Sequence, residues 1–528
     1  MNTDIKLTDE QRNVVLHRNS PALVVAGAGS GKTQTVTSHV ITLLADGIKP
    51  ENIMMLTFTR KAAEEMRERI KAYVGEDLSN KIIAGTFHSV GVRMLRHFGW
   101  EYDRVYNPGL FASNFDVLGK GESADSLDLI RTRFNRTYPT RHNCTEETLL
   151  KMHLPSSDKL EDFFSQCKNR QLSIQEGLQT LSIAKEWTHK ETLTYLQELA
   201  LDWADEKRMT KQMNYDDILE AWQEIATNRP ETCKHIQALV IDEAQDMNNV
   251  QHDITYAIYS AMPTNHLMLV GDAAQSIYGW RGANVYAFDE FPKTYPNTKI
   301  YELSKNFRSY EPILNIANQT LDGCDIKSTT HLSSVRGYGP DVHFREFNTE
   351  KHQAKAIFKI IKTTRPDQKV AVIARSSKTF HPIEAELIRE NLEYEVCGGK
   401  PLSEQTQVRD IMALLRFAYN QMNEASLCRL LKLFNDVGDK TAADILDTDI
   451  EKCLTNNQYT NKTGIRADAI NYACNTLKMA QRALELTPWP ETMTTAIKIY
   501  RKILIDAEDA ATEKQKHKQW QFSHRESA

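Results

Sequence analysis

The amino-acid sequence predicts an α/β protein that is built on a parallel β-sheet and interrupted by a long helical region. Short apolar runs of β type alternate with helical patterns near the start of the chain, at Ala22–Val25, Ile53–Leu56 and Ile82–Ala84. From about residue 92 to about residue 208, helical spacing dominates and no convincing strand is present. Strands that alternate with helices are typical of a parallel sheet with helices on its faces.

The α/β pattern resumes after the helical region and then repeats. Ala238–Ile241 and Leu267–Val270 are predicted to be further strands. A second α/β block is predicted from about residue 299 to residue 397, and helical spacing returns from about Val408. The predicted strands of the second block are Ile300–Leu303, Val342–Phe347, Val370–Ala374 and Tyr394–Cys397. A chain of 528 residues is long enough for about three or four domains or subdomains.

The composition excludes several classes of protein. Apolar residues make up 41% and charged residues 26% of the chain, which excludes a wholly disordered or fibrous protein. The net charge of −5 argues against a protein coated in positive charge, although a nucleic-acid groove needs only local Lys and Arg. The eight cysteines contain no CxxC pair, which favours reduced thiols in a cytoplasmic protein. The N-terminus shows no signal peptide, and no apolar run reaches the roughly 18 residues of a membrane helix.

A Gly-rich turn between a strand and a helix predicts a phosphate-binding loop, or P-loop. Its glycines let backbone N–H groups turn inward around phosphate oxygens, and the helix that follows adds the positive end of its dipole. Lys32 would reach the β- and γ-phosphates of a nucleotide, and the Thr33 hydroxyl would ligate Mg²⁺. The flanking strand and helix argue against a chance Gly-rich turn. The segment comprises Ala26, Gly27, Ala28, Gly29, Ser30, Gly31, Lys32 and Thr33, with Ala26 in a position that is usually Gly.

A later segment supplies the carboxylates that a P-loop requires. Asp242 and Glu243 follow directly after the predicted strand Ala238–Ile241. Asp242 would hold Mg²⁺, directly or through water, and Glu243 would position and deprotonate the attacking water. An Asp-Glu pair after a strand usually lies in a solvated turn. In the presence of a P-loop it predicts nucleotide hydrolysis.

Several further motifs, in order along the chain, resemble those of the UvrD/Rep-type superfamily 1A DNA helicases. The resemblance covers roughly residues 5–445, and the string that is similar to motif III is nearly diagnostic by itself. The matching segments are Leu7–Gln11 (Q motif), Thr57–Ala63 (Ia), Gly85–Ser89 (Ib), Asn214–Leu219, Asp242–Gln245 (II), Val270–Gly282 (III), Leu303–Ser309 (IV), Cys397–Lys400 and Val437–Thr441.

The resemblance implies an architecture of four domains or subdomains. Residues 1–91 and 206–290 would form a RecA-like ATP-binding domain, 1A, and residues 92–205 a helical insertion, 1B. Residues 291–379 would form the first part of a second, incomplete RecA-like domain, 2A, and residues 380–528 a helical region similar to 2B. ATP would bind in the cleft between 1A and 2A, and single-stranded DNA would cross both domains.

The resemblance also implies roles for residues around the nucleotide. Gln11 would read the adenine edge, and Phe307 occupies the place of an aromatic that stacks on adenine. Gln34 lies where many relatives carry an Arg on the other face of the base. Gln275 resembles the γ-phosphate sensor that couples hydrolysis to DNA, and Arg308 resembles the motif IV arginine that approaches the γ-phosphate.

The predicted DNA surface combines aromatic and basic side chains. Base–aromatic stacking contributes about 1–3 kcal/mol per base and tolerates any sequence, which suits a motor on arbitrary DNA. Basic side chains would contact the backbone or support the stacking residues. The predicted DNA-binding residues are Thr57, Phe58, Arg60, Phe87, His88, Tyr278, Trp280 and Arg281. A second basic patch, Arg131–Arg141, predicts either a DNA contact or a solvated face.

Two motifs of the family, V and VI, have no counterpart that we recognise in the sequence. Motif VI normally supplies a second arginine for the γ-phosphate. The leading hypothesis is an ATP- and Mg²⁺-dependent 3′→5′ translocase or helicase that acts on single-stranded DNA or on duplexes with a single-stranded tail. The alternative is a catalytically incomplete ATP- and DNA-binding subunit, whose domain 2A a second polypeptide with motifs V and VI would complete. An unrelated P-loop ATPase is disfavoured, because the motif III string has no role there.

Overall fold

The computed structural model contains two compact units. The first comprises Met1–Gly339 and Asp410–Ala528, and the second comprises Pro340–Arg409. The structure describes residues 6–106, 115–326, 328–365, 367–396, 405–420, 423–435, 437–447, 465–488 and 491–506. Within these ranges, we find no helix with the length and hydropathy that a membrane crossing requires. The predicted family segment Cys397–Lys400 lies outside the described residues.

Six parallel strands form the central sheet of the first unit, in the order β3-β2-β6-β7-β1-β8. Two short parallel pairs, β4 with β5 and β9 with β10, lie outside it. The strands are β1 (Ala22–Ala26), β2 (Ile53–Thr57), β3 (Ile83–Thr86), β4 (Asp116–Val117), β5 (Gln212–Met213), β6 (Ala238–Ile241), β7 (Leu267–Gly271), β8 (Lys299–Leu303), β9 (Lys305–Asn306) and β10 (Ser333–Ser334).

Helices cover both faces of the central sheet and make up most of the other described elements. They are α1 (Asp9–Val15), α2 (Lys32–Ala45), α3 (Arg60–Val74), α4 (Glu76–Lys81), α5 (Phe87–Tyr106), α6 (Lys120–Arg141), α7 (Glu146–Lys151), α8 (Ser157–Arg170), α9 (Ile174–Thr180), α10 (Thr192–Met209), α11 (Tyr215–Asn228), α12 (Asn249–Ala261), α13 (Val285–Thr294), α14 (Glu311–Asp322), α15 (Glu350–Thr363), α16 (His381–Arg389), α17 (Thr406–Tyr419), α18 (Glu424–Leu431), α19 (Asp439–Asp447), α20 (Ile465–Glu485) and α21 (residues 491–506).

Alternate side chains of the strands enter two separate cores. Leu23 and Val25 of β1 belong to a core with α5, α11 and α12, whereas Ala22, Val24 and Ala26 belong to a core with α2 and α3. A strand that is buried on both faces must be apolar at every position. This explains why the sequence shows continuous apolar runs at β1, β2, β6 and β7, and it confirms those four strand predictions.

The strand predicted at Ile300–Leu303 forms, but it belongs to the first sheet. As β8 it pairs with β1, from Ala22 opposite Lys299 to Ala26 opposite Leu303. The first sheet therefore extends beyond the predicted domain boundary at residue 290. The run was predicted to lie in the second block because four residues carry no information about which strand will pair with them.

The helical insertion shares one apolar core with helices α17 and α18. Leu127 and Phe134 of α6 lie in the same buried cluster as Phe417 of α17 and Leu431 of α18. Ion pairs join the same elements, including Arg429 to Asp125 at 2.7 Å.

The arginines of the predicted basic patch are engaged within this helical region. Their partners are Pro155 O for Arg131, Glu424 for Arg133, Asp444 for Arg136 and Asp202 for Arg141. The structure therefore gives the patch a role in joining helices. The hypothesis that it also contacts DNA stays untested.

The second unit contains α15 and α16 around a small core of Ala354, Ile383 and Leu387. The strands predicted at Val342–Phe347 and Val370–Ala374 are not formed, nor is the described part of the run at 394–397. Their large apolar side chains are exposed, with Phe344 at 82% and Ile373 at 93%. A β-type run becomes a strand only beside a hydrogen-bonded neighbour, and the described part of this unit provides none.

Two histidines form a buried hydrogen bond at the amino edge of the central sheet. His39 Nδ1 lies 3.0 Å from Val15 O, and His39 Nε2 lies 2.8 Å from His266 Nε2. Because a carbonyl only accepts, His39 carries its proton on Nδ1, and its Nε2 accepts the hydrogen bond from His266. Burial lowers the pKa of His266 to about 4 and holds the pKa of His39 well below its ordinary value.

We expect acid to destabilise the protein through this pair. The unfolded histidines titrate near pH 6.5 and the folded ones at lower pH, so the unfolded chain binds more protons between about pH 6.5 and pH 4. Stability is therefore lost as the pH falls through this window. The thermal unfolding midpoint should decrease with falling pH, and it should decrease less steeply in His266→Gln. His153→Gln, at an exposed position, should keep the wild-type slope. An unchanged slope in His266→Gln would contradict this account.

Candidate functional site

The predicted functional motifs converge on the carboxyl edge of the central sheet. All six strands are parallel, so each strand ends at this edge. The P-loop follows β1, and the segments similar to motifs Ia, Ib, II, III and IV follow β2, β3, β6, β7 and β8. In open α/β sheets, ligands bind beyond the carboxyl ends of the strands. The topology of the sheet alone therefore identifies its carboxyl edge as the candidate site.

The P-loop has the backbone of a phosphate cradle. Gly29 and Gly31 adopt φ values of +74° and +85°, which side chains with a Cβ rarely adopt. The Ser30 hydroxyl donates to Gly27 O at 2.8 Å and tightens the turn. Helix α2 begins at Lys32, directly after Gly31, so its N-terminal N–H groups open into the loop.

The Lys32 side chain meets the acidic segment after β6. Lys32 Nζ lies 3.1 Å from Glu243 Oε2. Burial, reinforced by the neighbouring Glu243 charge, raises the pKa of Asp242 to about 6. The same causes raise the pKa of Asp246 to about 6. Three carboxylates thus face one ammonium group, and the site holds more negative charge than Lys32 can balance.

A divalent cation fits this charge arrangement. Within the described residues, no cluster of three or more His, Cys, Asp or Glu forms a self-contained metal site. Mg²⁺ at a nucleotide does not need such a cluster, since one or two carboxylates and the phosphate oxygens hold it together with water. Asp242 and the Thr33 hydroxyl are oxygen ligands of the required kind, and the excess of acidic groups favours a cation beside them.

A chain of polar side chains joins the loop after β6 to the loop after β7. Gln245 Nε2 donates to Glu243 Oε2 at 2.8 Å, and Gln245 Oε1 accepts from Asp272 N at 3.1 Å. Gln275 Nε2 donates to Asp272 Oδ2 at 2.6 Å. The predicted sensor Gln275 is therefore linked to Lys32 through Glu243. Gln245 and Asp272 lie within the segments similar to motifs II and III, but the resemblance assigned a role to neither of them.

The segment after β8 packs directly on the P-loop. Phe307 N donates to Gly29 O at 2.9 Å, and Asn306 Nδ2 donates to Ala28 O at 2.6 Å. Asn306 Oδ1 accepts from the backbone N–H groups of Arg308 and Ser309. Asn306 is 1% exposed and thus connects the nucleotide loop to the backbone of Arg308. Sequence reasoning missed it, although its place in motif IV beside two selected residues was the available signal.

Helix α1 holds the other side of the P-loop. Gln11 is buried, its Nε2 donates to Ser30 O at 3.0 Å, and its Oε1 accepts from Thr8 N. Glu10 accepts from the backbone and hydroxyl of Ser304 at 3.0 and 2.6 Å. The structure thus brings Gln11 against the P-loop. Gln34, in the first turn of α2, donates to Ser38 Oγ at 3.2 Å.

An aromatic and basic surface lies beside the nucleotide loops. The rings of Phe58 and Tyr278 stack with centroids 4.9 Å apart, which brings the loop after β2 to the loop after β7. The Arg281 guanidinium carbon lies 5.2 Å from the Tyr278 ring centroid and 4.6 Å from that of Trp280. Trp280 is 57% exposed. A flat face of this kind, supported by a cation, fits an unstacked base.

The remaining predicted DNA residues divide into exposed and buried groups. Arg60 is exposed at the start of α3. Burial, and to a smaller extent the charge of Arg60, lowers the pKa of His88 to about 4. Phe87 is 3% exposed and packs on Trp222 in the core. An aromatic residue directly after a buried strand is commonly buried, and the predicted DNA contact of Phe87 stays a prediction. Thr57 is also buried, and its hydroxyl has no hydrogen-bond partner.

Comparisons with known proteins agree with this arrangement. The chain matches the UvrD/REP helicase N-terminal domain over residues 7–296 and the UvrD-like helicase C-terminal domain over residues 301–524. It is 30% identical to the ATP-dependent DNA helicase PcrA of Leuconostoc citreum, over 80% of this chain and 54% of that protein. It is 28% identical to the PcrA proteins of Staphylococcus aureus strain Mu50 and Staphylococcus epidermidis, over 81% and 82% of this chain.

The chain spans about half the length of these relatives, 56% in both staphylococcal cases. The ordered motifs, the parallel sheet that gathers them and the two domain matches lead to one conclusion. The chain belongs to the UvrD/REP family of helicases.

Proposed function

We propose that the protein is an ATP-dependent translocase or helicase that acts on single-stranded DNA. The observation that carries this proposal is the polar chain Lys32–Glu243–Gln245–Asp272–Gln275, which ends in the loop that holds the aromatic surface. A nucleotide at the P-loop and a base on Trp280 would thus contact two ends of one hydrogen-bonded network. Such a network is what a motor needs to couple hydrolysis to its grip on DNA.

The chain's own residues supply the parts for phosphoryl transfer. The backbone N–H groups of the P-loop and Lys32 would bind the phosphates, and Thr33 and Asp242 would hold Mg²⁺. Bound there, Mg²⁺ neutralises charge on the phosphate oxygens. Lys32 now pairs with Glu243. Phosphates would replace Glu243 as the partner of Lys32, which leaves that carboxylate free to accept a proton from water.

Arg308 is proposed to approach the γ-phosphate from the segment after β8. Its backbone is fixed beside the P-loop, since a Cβ on Gly29 would lie 2.7 Å from the Cβ of Arg308. Asn306 maintains this approach through Ala28 O. Phe307, which is 44% exposed, remains available to stack on the adenine.

We propose that DNA bases stack on Tyr278 and Trp280, with Phe58 and Arg281 supporting them. The polarity of movement, 3′→5′, and action on duplexes with a single-stranded tail rest on the family resemblance. The proposed division into domains 1A, 1B, 2A and 2B also rests on the family resemblance, with the end of 1A moved to include β8. A cytoplasmic location is proposed on the same basis.

A second candidate function is an ATP- and DNA-binding subunit that a further polypeptide completes. One observation favours it, namely the exposed β-type runs of the second unit with Phe344 and Ile373 uncovered. Such runs pair readily with strands of another chain. ATP hydrolysis by the isolated, monodisperse chain would count against this candidate, and activity that appears only on mixing with a partner would support it.

Lys32→Ala should abolish DNA-stimulated ATP hydrolysis. The side chain is 10% exposed and directed at the acidic segment, and removal of one group that stabilises transition-state charge costs about 10²–10³-fold in rate. Steady-state hydrolysis with and without single-stranded DNA measures the effect, and DNA binding should largely survive. Lys49→Ala, at an exposed position of the same unit, is the matched control. Wild-type rates in Lys32→Ala would refute the assignment of the site.

Asn306→Asp should lower the ATPase turnover number roughly tenfold. The substitution replaces the amide group that donates to Ala28 O with a carboxylate oxygen, so two buried acceptors then face each other. The oxygen that accepts from Arg308 N and Ser309 N is retained, so Asn306→Ala, which loses all three hydrogen bonds, should be worse. DNA affinity should change little in either variant. Asn315→Asp makes the same chemical change at an exposed position of α14. Full turnover in Asn306→Asp would show that the Ala28 contact is dispensable.

Unwinding should require a 3′ single-stranded tail. Duplexes with a 3′ tail, a 5′ tail or blunt ends, mixed with protein, ATP and Mg²⁺, distinguish the possibilities by strand separation. Preference for the 5′ tail would overturn the proposed polarity. Failure on all three substrates, together with DNA-stimulated hydrolysis, would indicate a translocase without unwinding activity.

A further inference from the structure

The C-terminal end of α8, in the helical insertion, lies against the loop that carries Trp280. Arg170 Nη2 donates to Gly279 O at 2.6 Å. Gly282 ends this loop with a φ of +95°, and a Cβ on Gly282 would lie 2.9 Å from the Cβ of Asn169. The close approach and the positive φ together require glycine here. The loop and the helix end are therefore in direct contact.

A chain of asparagines extends this contact to the segments that follow motifs II and III. Asn248 Nδ2 donates to Asn169 Oδ1 at 2.6 Å, and Asn249 Nδ2 donates to Arg170 O at 3.0 Å. Asn284 Nδ2 donates in turn to Asn249 Oδ1 at 2.8 Å. Asn248 caps α12, directly after motif II, and Asn284 caps α13, directly after motif III. The end of α8 thus meets both helices at the point where they begin.

Further contacts hold the end of α8 in place. Asn169 is buried, and its Nδ2 donates to Asp216 Oδ1 at 2.9 Å and to Ser165 Oγ at 3.1 Å. Gln171, the next residue after α8, donates to Asp253 of α12 at 2.5 Å. The end of α8 is therefore fixed by contacts that do not involve the Trp280 loop, and it can act as a support for that loop.

Within the loop, the turn at Trp280 is more exposed than its neighbours Tyr278, which stacks on Phe58, and Gly282, which packs on Asn169. This 3₁₀ turn comprises three residues, Gly279–Arg281, and none of them is buried. Gly279 has open space where a side chain would be, and Trp280 and Ile277 extend into solvent. A hydrogen bond from a guanidinium to a carbonyl is roughly twice as strong as a neutral one. The Arg170 contact is thus a major restraint on the position of the turn.

We propose that Arg170 is a positioning residue for DNA binding, which holds the Gly279–Gly282 loop so that Trp280 presents its face to a base. The inference rests on the proposed function, because it takes Trp280 as a base-stacking residue. It assigns a task to the helical insertion that no helicase motif in the sequence indicates. Arg170 acts through the loop and does not need to touch DNA.

A double-mutant cycle on the full-length chain tests the proposal. Arg170→Ala, Trp280→Ala and the double variant are compared with wild type for binding to an oligo-dT that contains 2-aminopurine, whose fluorescence is quenched when an aromatic ring stacks on it. Arg170→Ala should raise the dissociation constant roughly tenfold, the value of one charge-assisted hydrogen bond. If Arg170 acts through Trp280, the dissociation constant of the double variant should not exceed that of the single variant that binds DNA more weakly. Arg208→Ala, in the exposed pair with Asp205, should bind as wild type.

Each other outcome overturns the inference. Additive effects in the double variant would mean that Arg170 contacts DNA itself or supports the fold in general. Wild-type binding by Arg170→Ala would mean that the hydrogen bond to Gly279 is dispensable. Where Arg170→Ala does not fold, Arg170→Gln, which shortens the side chain and removes its charge, is used in the same cycle. DNA binding does not require ATP turnover. A wild-type protein that fails to hydrolyse ATP would therefore contradict the proposed function, but it would leave this binding test intact.

Discussion

The parallel alignment of the central sheet is the constraint on which the rest of the structure depends. Parallel strands must all end at one edge, so loops far apart in the chain are brought together there. Strand β1 lies between β7 and β8. The P-loop is therefore flanked by the loop with Gln275 on one side and the segment with Arg308 on the other. The backbone hydrogen bond from Phe307 N to Gly29 O is possible only because β8 pairs with β1 as the outermost strand of the sheet.

The charge balance of the site follows from the same arrangement. Strand β6 lies next to β7 and brings Asp242, Glu243 and Asp246 beside Lys32. Burial and mutual repulsion raise the pKa of Asp242 and Asp246 to about 6, so the site favours the addition of positive charge. A nucleotide bound together with a divalent cation brings that positive charge along with phosphates for Lys32. The charges of the site therefore support the proposed joint binding of a nucleotide and a divalent cation.

The sequence was sufficient to predict what depends on local chemistry. The P-loop has a fixed order of glycines between a strand and a helix, and the structure shows that backbone at Gly29 and Gly31. The sequence did not indicate which segments would become neighbours in space. The run at 300–303 was predicted to be a strand, yet nothing in it indicated that β1 would be its neighbour. Phe344 and Ile373 lie in runs of β type, but propensity alone does not form a strand where no described segment supplies hydrogen bonds.

Asn169 and Arg170 show why part of the site was beyond sequence reasoning. Neither belongs to a motif, and a polar helix end normally faces solvent. Their importance comes from the fold, which places the end of α8 where α12 and α13 begin. Asparagine suits such a place because its amide both donates and accepts, so a row of asparagines can bridge buried backbone and side chains without adding charge. The asparagines Asn169, Asn248, Asn249 and Asn284 therefore link the end of α8 to the starts of α12 and α13 through hydrogen bonds, without adding charge of their own.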